Sequence, residues 1–317
     1  MANDFSPRTE CTMYFIGVTT GKSSIMRVFP KWVEHLGIKA KIEGFDFPQH
    51  DAPEKYREAV SFIKNDLNSW GALVTTHKID LLAATRDMFE VLDPYAEALG
   101  EISSISKRGG TLCGHAKDPI TSGLSLERIV PKNYWKDTGA DLLILGAGGS
   151  CLALSMYLKE KKDKGGDVPA RIIVNNRSQP RLDEMKRIHA RIGFNIPIEY
   201  NLCPTPDMND RVVAALKPGS MIANSTGLGK DGPGSPLTDS ARFPEGGKVW
   251  EFNYRGDLLF LQQARAQEGK CGLHIVDGWD YFIYGWTRVI AEVFNIFIPV
   301  DGSGFDRLSE LAAEARV

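Results

Sequence analysis

Glycines crowd the centre of this chain in a pattern suited to holding a phosphate. In Gly146-Ala147-Gly148-Gly149-Ser150 the glycines follow directly on the apolar run Leu142 to Leu145, and Cys151 to Leu158 continues with helical character. A strand buried on both faces, a glycine turn and a helix start together point backbone N–H groups and a positive dipole end at an anion. Glycine suits the turn because the backbone must reverse sharply and approach the pyrophosphate closely. The third glycine of the dinucleotide fingerprint Gly-x-Gly-x-x-Gly is Cys151 here, so the loop matches only in part. A second stretch narrows the ligand. Arg171 to Asn175 reads as the next strand at βαβ spacing and ends in Asn176-Arg177-Ser178, with Arg181 one helical turn on. NAD sites usually place an Asp or Glu at this strand end, on the ribose 2′-hydroxyl. A guanidinium there suits a 2′-phosphate through forked, charge-assisted hydrogen bonds. NADP(H) is therefore expected in preference to NAD(H).

The elements that must carry these residues follow from apolar spacing. Met13 to Val18 reads as a strand, Thr19 to Ser24 as a polar turn, and Ile25 to Leu36 as a helix stopped by Gly37. Ala40 to Phe47 and Ala72 to Thr75 read as strands, and Glu54 to Leu67 and Lys78 to Asp87 as helices. This alternation predicts a mostly parallel sheet ahead of the glycine loop. Thr111 to His115 is a further strand and Thr121 to Ile129 a helix. The polar run Pro131 to Gly139 reads as a linker, and Lys159 to Val168 as a charged surface loop. Strands follow at Ile198 to Asn201, Ser220 to Ala223, Lys248 to Phe252 and Gly272 to Val276. Helices from Asp280 onward carry too much apolar surface for a free tail.

At 317 residues, two domains are expected. With 43% hydrophobic and 25% charged residues, composition is that of an ordinary globular protein. A net charge of -2 gives no electrostatic case for nucleic acid or an anionic membrane. The five cysteines (Cys11, Cys113, Cys151, Cys203, Cys271) are widely spaced and form no Cys-x-x-Cys. They read as reduced thiols of a cytoplasmic protein, with no disulfide framework and no metal. The start of the chain lacks the pattern of a signal peptide. Tyr281 to Val300, interrupted by Arg288, Glu292 and Asn295, reads as a buried amphipathic helix and not a membrane span.

Several short motifs, in order, resemble those of the shikimate dehydrogenase family over nearly the whole chain. Leu73-Val-Thr-Thr-His-Lys78 resembles Asn-Val-Thr-x-Pro-His-Lys without its proline. Leu112-Cys-Gly-His-Ala-Lys-Asp-Pro119 resembles Leu-x-Gly-x-Asn-Thr-Asp-Gly, and Asn176-Arg-Ser178 resembles the Asn-Arg-Thr that reads NADP. Asn224-Ser-Thr-Gly-Leu-Gly229 is similar to Asn-Ala-Thr-Pro-Leu-Gly beside the nicotinamide, and Asp277-Gly278 to the Asp-Gly before the return helix. The resemblance implies an α/β fold of two domains. Residues 1–130 and 278–317 would form the substrate and catalytic domain, and 131–277 a Rossmann-type NADP domain, with the last helices returning to the first. It implies Lys78 as acid/base with Asp118 as its partner. It adds Ser225, Thr226 and Gly227 to the cofactor site, and Ser23, Thr75, Tyr254 and Tyr284 to the substrate site. Family members occur as monomers and dimers, so a homodimer stays open; the partner expected is a small molecule.

The chemistry fits that assignment. Hydride transfer from a secondary alcohol releases a hydroxyl proton, and a base must take it. Desolvation can bring lysine into range, and a carboxylate can orient it. His77 and His115 are rival acid/bases, since histidine titrates near neutrality. The substrate grip, however, departs from the family. Gly21 replaces the first serine of the carboxylate site, where Ser23 keeps the second; Leu73, Ala116 and Ser103 replace asparagines, and Gly285 a glutamine. A site built on polar contacts loses heavily when they vanish. The expectation is an NADP(H)-dependent dehydrogenase or reductase of a cyclic secondary alcohol or ketone other than shikimate. The rivals are genuine shikimate or quinate dehydrogenase, methylenetetrahydrofolate dehydrogenase-like chemistry, and a non-catalytic NADP sensor.

Overall fold

The computed structural model describes residues 3–230 and 232–316. The chain forms two units: one runs to Lys117 and resumes at Ile283, and the other spans Asp118–Phe282. The first begins with β1 (Thr12–Gly17), α1 (Ile25–His35), β2 (Lys41–Asp46), α2 (Pro53–Asn65), β3 (Ser69–Val74) and α3 (Lys78–Thr85). It continues with β4 (Val91–Leu92), α4 (Pro94–Leu99), β5 (Ser104–Arg108) and β6 (Thr111–His115). Its sheet has the order β2-β1-β3-β5-β6-β4. β1 lies parallel to β2 and β3, but β5 runs antiparallel to both β3 and β6. Among its described strands the sheet is mostly parallel, as expected, with one antiparallel exception. The exception is β5, whose sequence Ser-Ile-Ser-Lys-Arg carries little apolar signal. It is joined to β6 by Gly109 and Gly110, both at positive φ, as a tight reversal requires.

Apolar spacing explains α1 well. Ile25, Val28, Phe29, Trp32 and Val33 recur on one face and are all buried, and Gly37 follows at φ 70°. The Thr19 to Ser24 turn contains a short 3-10 segment, Thr20–Lys22.

The second unit carries α5 (Asp118–Ile129), α6 (Tyr134–Thr138), β7 (Leu142–Leu145), α7 (Gly149–Asp163), β8 (Ile172–Asn176) and α8 (Gln179–Arg191). Then come β9 (Ile198–Leu202), α9 (Pro206–Ala214), β10 (Met221–Asn224), β11 (Lys248–Glu251), α10 (Leu259–Arg265), α11 (Glu268–Cys271) and β12 (His274–Val276). Its sheet is parallel throughout, in the order β12-β11-β10-β7-β8-β9. The chain winds outward from β7 in both directions, so a topological switch point lies between β7 and β10. The four residues of β7 are all buried, as a strand covered on both faces must be.

Two sequence expectations need correcting here. The run 131–139, read as a linker, holds α6: Trp135 is buried, and the backbone N–H groups of Trp135 and Lys136 donate to Asp167 at 2.9 and 2.8 Å. The run 159–168, read as a loop, begins as the last turn of α7, where Lys159 pairs with Asp163 at 2.5 Å. Helical i,i+4 pairing explains its charge better than a mobile loop does.

α12 (Trp279–Phe294) starts in the second unit, and most of it belongs to the first with α13 (Gly302–Ala313). Within the first unit the Trp32 indole donates to the Leu308 carbonyl at 2.8 Å, tying α1 to α13. Trp286 of α12 meets Phe15 edge to face at 5.0 Å. Among the described residues no helix is long and apolar enough to cross a membrane.

Candidate active site

Three turns follow the C-terminal ends of β8, β7 and β10, and register brings them side by side, since Asn224 pairs with Leu145 and Leu145 with Asn175. The middle turn is the glycine loop. Gly146 has φ 106°, and its N–H donates to the Asn175 carbonyl at 2.8 Å. Gly148 caps α7 with no side-chain capping bond, leaving the first turn, Gly149 and Ser150 included, without side-chain competition at its amides. A Cβ on Gly148 would meet nothing within 4 Å, so space in front of the turn is open. Ala147 is buried beneath it. These features fit a phosphate, and with it a dinucleotide.

The turn after β8 is fastened to the glycine loop through Asn176. Its Oδ1 accepts from the Ala147 N–H at 3.3 Å and its Nδ2 donates to the Ser178 carbonyl at 3.0 Å. Asn176 therefore shapes the cradle with its own side chain. Arg177 and Arg181 are exposed at this strand end, and among the described residues neither enters an ion pair. Ser178 is the N-cap of α8 but makes no side-chain capping bond.

The turn after β10 lies on the other side. Ser225 donates its hydroxyl to the carbonyls of Leu145 and Gly146, at 2.9 and 3.2 Å. Thr226 donates its hydroxyl to Asn224 Oδ1 at 2.7 Å and accepts from the Leu228 N–H at 3.3 Å. Both hydroxyls thus have partners inside the protein, and what 225–227 offers a ligand is chiefly backbone. Nearby, Glu251 at the end of β11 is fully buried, and burial pushes its carboxyl up to about 7. Sequence reading missed this residue, because a charged side chain at a strand end ordinarily signals solvent.

Tyr254 follows β11, half-buried, its ring against Trp279 and Phe282 at 5.4 and 4.6 Å. Asp118, also half-buried, opens α5 and with it the second unit.

In the first unit, Lys78 is the first residue of α3 and half-buried, and Thr75 follows β3. The backbone between them is unusual. Thr76 sits at φ 57°, an unfavourable region for a β-branched residue, and the His77 N–H bonds back to the Thr75 carbonyl. Ser23 is buried beside the 3-10 segment. Ser103, in place of a family asparagine, accepts the Lys117 N–H at 2.8 Å, and Ala116 is fully buried.

Tyr284, expected at the substrate, is a core residue. Its ring stacks on Phe305 at 4.5 Å and its hydroxyl donates to the Val300 carbonyl at 3.0 Å. The two histidines are likewise engaged. His77 is buried with Nδ1 3.0 Å from the Tyr56 hydroxyl, and desolvation lowers its pKa. His115 lies between Ser106 and Glu292, with Nε2 at 3.0 and 3.3 Å from them. Among the described residues no group of three or more His, Cys, Asp and Glu is placed to hold a metal.

Comparison with known proteins completes the picture. No family model matches the chain. A protein of Symbiobacterium thermophilum named shikimate dehydrogenase (NADP+) is 29% identical over 269 residues, covering 84% of this chain and 82% of that one. The crystal structure of shikimate dehydrogenase from Aquifex aeolicus superposes with a TM-score of 0.70 at 18% identity, covering 97% and 99% of the two chains. That of 5-ketofructose reductase from Gluconobacter sp. strain CHM43 gives 0.69 at 16% identity, covering 96% and 98%. Structures this distant in sequence speak for the fold alone, and the named relative with the ordered motifs speaks for descent. In motif order and named relatives the chain resembles the shikimate dehydrogenase family, and its fold matches that of solved shikimate dehydrogenases.

Proposed function

We propose that this protein is an NADP(H)-dependent oxidoreductase acting on the CH–OH group of a cyclic secondary alcohol, or on the matching ketone, with a substrate grip different from that for shikimate. The observation that carries the reading is the cradle at the switch point, where three turns joined by hydrogen bonds surround an uncapped helix start. Gly146, Ala147, Gly148, Gly149 and Ser150 would hold the pyrophosphate. Asn176, Arg177, Ser178 and Arg181 would hold the 2′-phosphorylated ribose, and 225–227 the far half. NADP+ when bound supplies the hydride acceptor. Lys78 Nζ would take the hydroxyl proton on oxidation and return it on reduction, Asp118 would orient that exchange, and Ser23, Thr75 and Tyr254 would line the substrate. The domain bounds proposed from sequence, 131–277 for the cofactor domain, would then fall inside the 118–282 unit. The five cysteines, all free, accord with work in the reducing cytoplasm.

Two features support an altered grip. Ser103 accepts the Lys117 N–H on its hydroxyl oxygen, and Leu73 and Ala116 bring no side-chain polar atom where the family pattern has asparagine. A second reading, genuine shikimate or quinate dehydrogenase, is favoured by the Symbiobacterium relative's name. The deciding experiment follows absorbance of NADPH while NADP+ is mixed with shikimate, quinate, cyclitols and amino-sugar alcohols, with parallel NAD+ wells. Turnover of a ring alcohol other than shikimate, with NADP+ preferred, is expected. Fast turnover of shikimate would replace this reading with the second, and binding of NADPH without turnover on any alcohol or ketone would point to a sensor.

A further inference from the structure

We propose that Glu251 is a positioning residue for the half of the cofactor beyond the pyrophosphate: its carboxylate holds two asparagine side chains that clasp Thr226 and so fix the 225–227 turn against the glycine loop. This rests on the NADP(H) reading above. The sheet order supplies the geography. With the 2′-phosphate end over β8 and the pyrophosphate over β7, what remains of a dinucleotide lies over β10, where 225–227 begins.

The clasp can be followed bond by bond. Glu251 Oε1 accepts from the Asn253 N–H at 2.8 Å and from Asn253 Nδ2 at 2.7 Å. Its Oε2 accepts from Asn224 Nδ2 at 2.5 Å. The other end of the Asn224 amide, Oδ1, takes both the N–H and the hydroxyl of Thr226, at 3.1 and 2.7 Å. Asn253 Nδ2 also donates to the Thr226 carbonyl at 3.0 Å. Every polar group of Thr226 in the direction of the clasp is thereby held. The clasped turn in turn abuts the phosphate loop, because a Cβ on Gly146 would stand 2.9 Å from Ser225 Oγ.

The chemistry requires an acid at this position. Three N–H donors converge on Glu251 from two residues, and a carboxylate is the side chain that accepts on both oxygens and donates on neither. A glutamine would turn an NH2 toward Asn224 or Asn253, both of which are already donating. Burying an acid is costly unless donors meet its oxygens, and here both oxygens accept. A core that needed only volume at this site would be better served by an apolar residue.

The test compares two ligands on the full-length protein by calorimetry, at a pH above the raised Glu251 value so that the carboxylate is ionised: NADP+, and 2′-phospho-ADP-ribose, which lacks the nicotinamide. Glu251→Gln is expected to weaken NADP+ about tenfold, the effect of one lost charge-assisted hydrogen bond, and to change 2′-phospho-ADP-ribose by less than about twofold. Should that variant fail to fold by circular dichroism, Asn253→Ala cuts the same clasp while the Asn253 N–H and Asn224 still donate to the carboxylate, and is expected to split the two ligands the same way. Equal weakening of both ligands, or no weakening of either, would overturn the proposal. Wild-type protein that binds neither ligand would remove the cofactor reading itself, an outcome visible before any variant is made.

Discussion

A lysine at the start of a short helix can serve many ends, and removing it separates them. Lys78→Ala is expected to lower turnover by roughly 10²–10⁴-fold while NADPH binding persists, the usual scale for losing a general acid/base. Undiminished turnover in a spectrophotometric assay would end the assignment of Lys78. Gly21 offers the opposite kind of test. A Cβ there would meet nothing within 4 Å, so Gly21→Ser should leave the melting temperature unchanged. If its position belongs to a substrate-carboxylate site, the variant should gain turnover of shikimate relative to wild type; a null result would place Gly21 outside the grip. At this scale, residue type alone was informative for Gly146, whose positive φ the turn requires. It was uninformative for Asn176, Ser225 and Thr226, whose side chains hold the protein's own turns. Glu251 was invisible, because nothing local in the sequence reveals that a strand end is dry.

Elements meet through contacts that substitution can probe directly. In the second unit α5, which begins at Asp118, packs on α7, which begins at the glycine loop, and Gly123 makes the approach possible: a Cβ there would lie 2.3 Å from the Tyr157 ring. Gly123→Ala is therefore expected to destabilise by about 1–3 kcal/mol in denaturant unfolding, the cost of overpacking a rigid contact. An unchanged midpoint would mean the helices slide apart freely. Behind α7, His189 of α8 joins Ser155 and Tyr200. Ser155 donates to the Leu152 carbonyl at 2.8 Å, so it accepts from His189 Nε2 at 2.8 Å, and the Tyr200 hydroxyl donates to Nδ1 at 2.6 Å. That arrangement needs a neutral ring, and desolvation lowers the His189 pKa from 6.5 to about 4. Between those values the unfolded chain takes up a proton that the folded chain refuses, so stability present above pH 6.5 drains away as pH falls toward 4. Thermal melts should show a steeper loss over this window in wild type than in His189→Gln, and parallel slopes would refute it. Strands and helices with strong apolar periods were legible in the sequence; β5 and α6 were not, because polar residues build them and partners elsewhere in the chain settle their structure.

At the level of the whole molecule, one unit is unbroken in sequence and the other is assembled from two separated stretches. The unbroken unit has its own parallel sheet and a core of its own, with Leu143, Ile222, Val249, Phe260 and Leu261 among its buried residues. Expressed alone, 118–282 is expected to fold and to bind 2′-phospho-ADP-ribose in calorimetry. A fragment that stays unfolded at low temperature would show that its stability is borrowed. The bounds drawn from the motifs, 131–277, stand as a proposal beside this unit, and the polar run 131–139 that reads as a linker lies inside it.

The bond from Trp32 to Leu308 has a consequence in time. A ribosome that has delivered α1 has not yet made the helix against which its indole is tied, and most of the chain must emerge first. The intervening unit can fold during that wait, being local and complete. The N-terminal stretch must instead hold Trp32 and its apolar neighbours in readiness until the last helix arrives, and so it is the part of the nascent chain with most need of a chaperone.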